Sequence, residues 1–141
     1  LGYWNNPQET ANVMTTDGFF KTGDIAIATA EGFHQIVDRK KDMIIVSGFN
    51  VYPNEVENVL ASHPNVIECA VVGVKDEHSG EAVKAFIVLK DNNQDQQQAK
   101  EAILAYCREQ LTGYKIPKII EFMAQLPKST VGKILRRELK D

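Results

Sequence analysis

The chain has 141 residues, of which 43% are hydrophobic and 25% charged, with a formal net charge of −3. That is enough to bury one medium core with a piece of a second unit beside it, in an ordinary globular balance. The slight acidity speaks against general nucleic-acid binding, the apolar runs are too short to cross a bilayer as a helix, and no signal-peptide pattern opens the sequence.

Residues 1–17 carry Asn5-Asn6-Pro7 and Thr15-Thr16-Asp17-Gly18, turn signals with little periodicity. Residues 24–29 read as a strand, Glu31-Gly32 as a turn and residues 33–37 as the returning strand, which together predict a hairpin. The pentad Asp38-Arg39-Lys40-Lys41-Asp42 cannot be buried cheaply, so it is expected at a surface crossing. Its plain alternative is a solvated linker. Residues 43–46 and 49–51 flank Ser47-Gly48 as a second tight strand pair.

Pro53 opens a helix at its first position, with Glu55 near the positive helix start. Val56, Val59 and Leu60 supply the apolar spacing, and His63-Pro64 ends the run. Residues 66–74 and 82–89 are β-branched-rich strands around a charged loop, 75–81, and residues 91–98 form a polar linker. A helix is expected over 97–111, with Ala99, Ile103, Tyr106 and Gln110/Leu111 on one face and Gly113 as its stop. A strand over 118–123 follows, then a loop to Lys133 and a short basic helix over 134–140. This order predicts an α+β domain from residue 43 onward, helices on a small central sheet, preceded by a β-hairpin that belongs to another unit.

Four residues are candidates for chemistry. Asp24 ends Thr22-Gly23-Asp24 where a strand starts, and its carboxylate can accept two hydrogen bonds, as from a ribose, or simply cap a turn. Arg39 is a fork donor for a hydroxyl or phosphate, or a surface partner of Asp38 or Asp42. Gly48 permits close backbone approach to a ligand, or is plain hairpin geometry. Lys133 follows Gly132 on a loop and can reach a phosphate as a point charge, or is an exposed lysine. Cys69 and Cys107 lack metal or redox spacing and are expected in the core; His34, His63 and His78 are scattered, so no metal site is read. A reducing cytoplasm fits. No Gly-rich phosphate cradle is found among the dispersed glycines. The start at Leu1, beside Gly2-Tyr3-Trp4, suggests an excised piece of a longer chain.

These motifs together resemble the C-terminal end of the adenylate-forming acyl-CoA synthetases, the bacterial long-chain fatty-acid–CoA ligases in particular. The match runs through Gly2-Tyr3-Trp4, through Asp17-Gly18-Phe19-Phe20-Lys21-Thr22-Gly23-Asp24 continuing to Asp38-Arg39-Lys40-Lys41, through Ser47-Gly48-Phe49-Asn50-Val51-Tyr52-Pro53, and through Pro127-Lys128-Ser129-Thr130-Val131-Gly132-Lys133. The resemblance implies that residues 1–38 end the large AMP-binding domain, 39–42 form a hinge and 43–141 form the small C-terminal domain. It implies that Asp24 and Arg39 hold the ribose, that Lys41 is at the hinge and that Lys133 is the adenylation lysine. It further implies that Val46, Ser47 and Gly48 line a pantetheine tunnel and that Tyr114 and Lys118 contact the CoA nucleotide. Ile116 and Lys41 stand where some relatives carry a basic residue and an Asp. The implied ligands are fatty acid, ATP/AMP and coenzyme A, with Mg2+ bound mainly by a large N-terminal domain that is the implied partner. The whole enzyme is then expected in the cytoplasm, peripheral on the inner membrane. In this chain by itself the hairpin edges lack the large domain's sheet, so the hairpin is expected to be held by the small domain or by a second copy of the chain, a homodimer. The alternatives are another acid-adenylating enzyme, or a docking module without catalysis.

Overall fold

The structure, a computed structural model, describes residues 2–91 and 95–140. Part of the expected polar linker, 92–94, and both terminal residues lie outside the described residues. The chain divides into two units between Lys41 and Asp42.

The first unit begins with a helix the sequence reading missed, α1 (Pro7–Val13). Asn6 caps it by accepting from the Glu9 N–H at 3.1 Å, and Pro7 takes the first helical position. Asn-Pro signals a turn and a helix start equally well, and seven residues are too few for a helical period to stand out. Strands β1 (Asp24–Ala28) and β2 (His34–Arg39) then pair antiparallel, with Asp24 opposite Arg39. Ile27, Phe33 and Ile36 on this hairpin are exposed.

Here the pentad departs from expectation. Asp38 and Arg39 continue β2, and only Lys40–Asp42 form a connecting 3₁₀ turn. Asp38 is buried, its carboxylate accepting the Arg39 N–H at 2.7 Å. A local backbone partner lowers the cost of burial that composition alone implied.

The second unit follows the predicted order up to its last element. Strands β3 (Ile44–Val46) and β4 (Phe49–Val51) are joined by Ser47 at φ 50° and Gly48 at φ 85°. Two consecutive positive φ values match the strand twist of a two-residue hairpin. Helix α2 (Pro53–Ser62) starts at Pro53 and buries Val56 and Leu60. Strands β5 (Val66–Asp76) and β6 (Gly80–Leu89) run longer than predicted, leaving only residues 77–79 as the loop. Helix α3 (Gln96–Gln110) begins at Asp95, whose carboxylate accepts from Gln97 N at 2.8 Å and Gln98 N at 3.3 Å. It ends at an extended Leu111, so no left-handed Gly113 is needed, and Cys107 rather than Tyr106 joins Ala99 and Ile103 on the buried face. Strand β7 (Ile119–Phe122) lies parallel to β6, the crossover that an intervening helix permits. The expected basic helix is only a 3₁₀ turn, Arg136–Glu138.

The five-stranded sheet has the order β4-β3-β6-β5, with β7 also on β6. Alternation sends Val71, Val83, Ala85 and Ile87 to one face, against Val56 and Leu60 of α2 and Ile103 of α3. Ala70, Val72, Phe86 and Val88 go to the other, covered by Leu126 and Leu139. The two-sided cover explains why β5 and β6 read as continuous apolar runs. Both cysteines are buried free thiols, and burial pushes Cys69 up to about 12 and Cys107 up to about 11.

His63 makes the stability of this unit pH-dependent. It is buried, its Nδ1 accepts the Asn65 N–H at 3.2 Å, and burial lowers its pKa from the ordinary value. The folded pKa lies below the unfolded one, so the contribution is complete above about pH 6.5 and is lost as pH falls below that. Denaturant midpoints should fall between pH 7.5 and 5.5, and His63→Asn, which retains an acceptor for Asn65, should remove that part of the slope. An unaltered slope would exclude His63 as its source.

Candidate functional site

In the first unit, strand register does the assembling. Because Asp24 faces Arg39 across the hairpin, Arg39 Nε donates to Asp24 Oδ1 at 3.1 Å. Two candidates that sequence reading could join only by motif are therefore bonded to each other. The Lys40 N–H donates to Gly23 O at 2.8 Å, closing the base of the hairpin. Thr22, Gly23, Arg39, Lys40 and Lys41 line a cleft of about 490 Å³. Three cations beside one carboxylate suit an anionic ligand that also offers hydroxyl groups.

In the second unit, a cleft of about 330 Å³ gathers Val46, Tyr114 and Lys118 with Ser79, Val83 and Ile116. The Ser47 N–H donates to Ser79 O at 2.8 Å, which ties the Ser47-Gly48 turn to the β5–β6 loop. Tyr114 stacks on Phe49 with ring centroids 4.8 Å apart and planes 21° apart, a flat aromatic wall. Lys118 Nζ is bonded to Asp76 Oδ1, and Asp76 also accepts from Ser79 N at 3.0 Å and Ser79 Oγ at 2.7 Å. The Lys118 ammonium, then the Ser79 donors, hold the Asp76 carboxyl well below the usual range. An anion arriving at Lys118 therefore competes with a carboxylate already there. Sequence reading missed Asp76, Ser79 and Phe49; the charged loop and the turn gave no sign of which of their side chains would face Lys118.

Lys133 stands apart on its own loop. Ser129 N donates to Lys133 O at 2.8 Å, Lys133 N to Ser129 Oγ at 3.1 Å and Gly132 N to Ser129 O at 2.9 Å. Gly132 has φ 80°, the left-handed value this turn requires. Among the described residues the Lys133 ammonium has no ion pair or hydrogen bond, and the residue is exposed. A fixed backbone with a free charged tip is what an electrostatic contact to a phosphate group needs. Also among the described residues, no group of three or more His, Cys, Asp or Glu could hold a metal ion, and no helix is long and apolar enough to cross a membrane.

Comparison with known proteins finds relatives along nearly the whole chain. A long-chain-fatty-acid–CoA ligase of Escherichia coli is 57% identical over 141 residues, covering all of this chain and 24% of that protein. A feruloyl-CoA synthase of Amycolatopsis is 45% identical over 139 residues, covering 99% of this chain and 28% of that protein. The chain thus spans about a quarter of the length of the curated relatives it matches. The ATP-bound structure of MatB from Rhodopseudomonas palustris superposes with a TM-score of 0.87 at 38% identity, over 98% of this chain and 27% of that one. The family model described as the AMP-binding enzyme C-terminal domain matches residues 55–133, from the first turn of α2 to the loop lysine. With more than half of the sequence inside that match, β5, β6 and β7 of the central sheet included, the chain belongs to the AMP-binding enzyme C-terminal domain family.

Proposed function

We propose that this chain is the mobile end of an ATP-dependent long-chain fatty-acid–CoA ligase, which joins a fatty acid to ATP as acyl-adenylate and pyrophosphate and then exchanges AMP for coenzyme A. The observation that carries the reading is Lys133, whose exposed ammonium has no partner among the described residues, on a loop whose backbone is pinned at both sides of Gly132. In the first step a carboxylate oxygen bonds to the α-phosphorus and the bond to pyrophosphate breaks. Negative charge grows on the departing oxygen, and Lys133 stabilises it there. Asp24 accepts from the ribose hydroxyls while Arg39 stays bonded to it and adds a donor. In the second step the CoA thiol attacks the acyl carbonyl and AMP leaves. The cleft with Val46, Tyr114 and Lys118, beside the Ser47-Gly48 turn, takes the pantetheine arm and the CoA nucleotide. Magnesium arrives with ATP, and its ligands are assigned to a large N-terminal domain. A homodimer, and a cytoplasmic enzyme peripheral on the membrane, complete the proposal.

Residues 39–42 are proposed as the hinge between the two steps, the large domain ending at 38 and the small one starting at 43. Lys41, in the one-turn 3₁₀ connection, is the residue to test. Lys41→Pro fixes φ in a segment that has to change it. In the intact enzyme it should slow thioester formation about tenfold, about 1.4 kcal/mol of barrier, and adenylation less. Unchanged kinetics in both steps would move the hinge elsewhere. The 45% identity to a feruloyl-CoA synthase favours one second reading, a ligase for another acid. Determining which acyl-adenylate the intact enzyme forms separates the two.

A further inference from the structure

Arg136, expected on a short basic helix, is instead held on three sides. Its Nε and Nη2 donate to Glu57 Oε1 and Oε2 at 3.1 and 2.6 Å, Nη2 also to Asn54 Oδ1 at 2.6 Å, and Nη1 lies 3.7 Å from Asp42 Oδ2. The side chains of Arg136, Glu57 and Asp42 are each no more than 20% exposed. Glu57 Oε1 accepts the Val71 N–H at 2.8 Å as well, so the fork is seated on β5 as well as on α2. Lys140 Nζ approaches Asp42 Oδ1 at 3.8 Å from the same C-terminal segment. A planar fork satisfied in this way is not interchangeable with a lysine.

Arg136 lies three residues beyond Lys133, at the foot of its loop. Leu135 N donates to Pro127 O at 2.9 Å, closing that foot. Leu126 and Leu139 on either side are buried, and Ile134 packs against the same cluster. Apolar contacts of this kind hold the loop down on the sheet but are non-directional. The directional restraint comes from the guanidinium, which binds the loop's foot to Asn54 and Glu57 of α2 and to Asp42, the first residue of the second unit.

We infer that Arg136 is a positioning residue for Lys133: its fork to Glu57, Asn54 and Asp42 makes the lysine loop, the start of the second unit and α2 a single rigid piece. The inference rests on the proposed role of Lys133 in adenylation. Arg136 touches no reacting atom and acts through the loop backbone.

Two measurements test it. In this chain, Arg136→Lys should speed amide exchange at Lys133 and Leu135 about tenfold or more while Ile87 in β6 is unchanged; unchanged exchange in the loop overturns the inference. In the intact enzyme, Arg136→Lys should slow adenylation by roughly 10- to 100-fold, the scale of a small misplacement, and leave thioester formation from supplied acyl-adenylate intact. Added to Lys133→Ala, it should cause no further loss. Equal loss in both half-reactions, or a loss that multiplies that of Lys133→Ala, overturns it. If Arg136→Lys unfolds, Glu57→Gln, which keeps an acceptor for Val71, must give the same split between half-reactions, and its absence is decisive against the inference. If Lys133→Ala leaves adenylation untouched, the proposed function fails, while the exchange measurement still judges the tie by itself.

Discussion

Lys133→Ala in the intact enzyme is expected to slow acyl-adenylate formation by roughly two to three orders of magnitude, the scale of losing one preorganised charge contact. The magnitude follows from how little else the substitution disturbs. The lysine is exposed, its ammonium has no protein partner among the described residues, and its backbone bonds to Ser129 survive in alanine. Stability should therefore stay within about 0.5 kcal/mol, as for an ordinary surface change. Thioester formation from preformed acyl-adenylate should persist, because that step does not need an ammonium at the phosphate. The measurement is pyrophosphate release set against single-turnover thioester formation from the isolated adenylate. Equal loss in both would remove Lys133 from its proposed role.

Ile87→Ala is expected to give the largest loss of stability. Ile87 is fully buried in β6, opposite Cys69 on β5 and Phe122 on β7. Removing a buried isoleucine to Cβ typically costs about 2–5 kcal/mol, transfer and cavity together. Against a total of about 5–15 kcal/mol for a domain, this should lower the melting temperature by roughly 10 °C or more. Ile27→Ala in the hairpin is the internal control, since Ile27 is 60% exposed and should lose little. Thermal melts of the two variants decide it: equal shifts would mean that β6 is not the centre of the core.

Much of the fold was legible because its signals are local. Ser47-Gly48 between two short apolar runs names its own hairpin, Pro53 marks a helix start, and the β-branched runs of β5 and β6 exclude helix by composition. The loop of Lys133 was legible for the same reason, as Gly132 and Ser129 are within a few residues of it. The resemblance added roles to Asp24 and Arg39 that neither residue declares by itself.

What only the tertiary structure decided were the partners of charged side chains. Asp38 and Arg39 are neighbours in one charged run, yet one is buried and the other pairs with Asp24, because alternation along β2 sends them to opposite sides. Arg136 and Arg137 are equally basic in the sequence, but Arg136 is gripped by Glu57, 79 residues away, while Arg137 is exposed. Lys118 reaches Asp76 across 42 residues. Helix, strand and turn preferences act over a few residues and can be read along the chain. The partner of a charge is set by which face of which element comes within about 4 Å of it, the reach of an ion pair, and that is known only once the sheet and helices have packed.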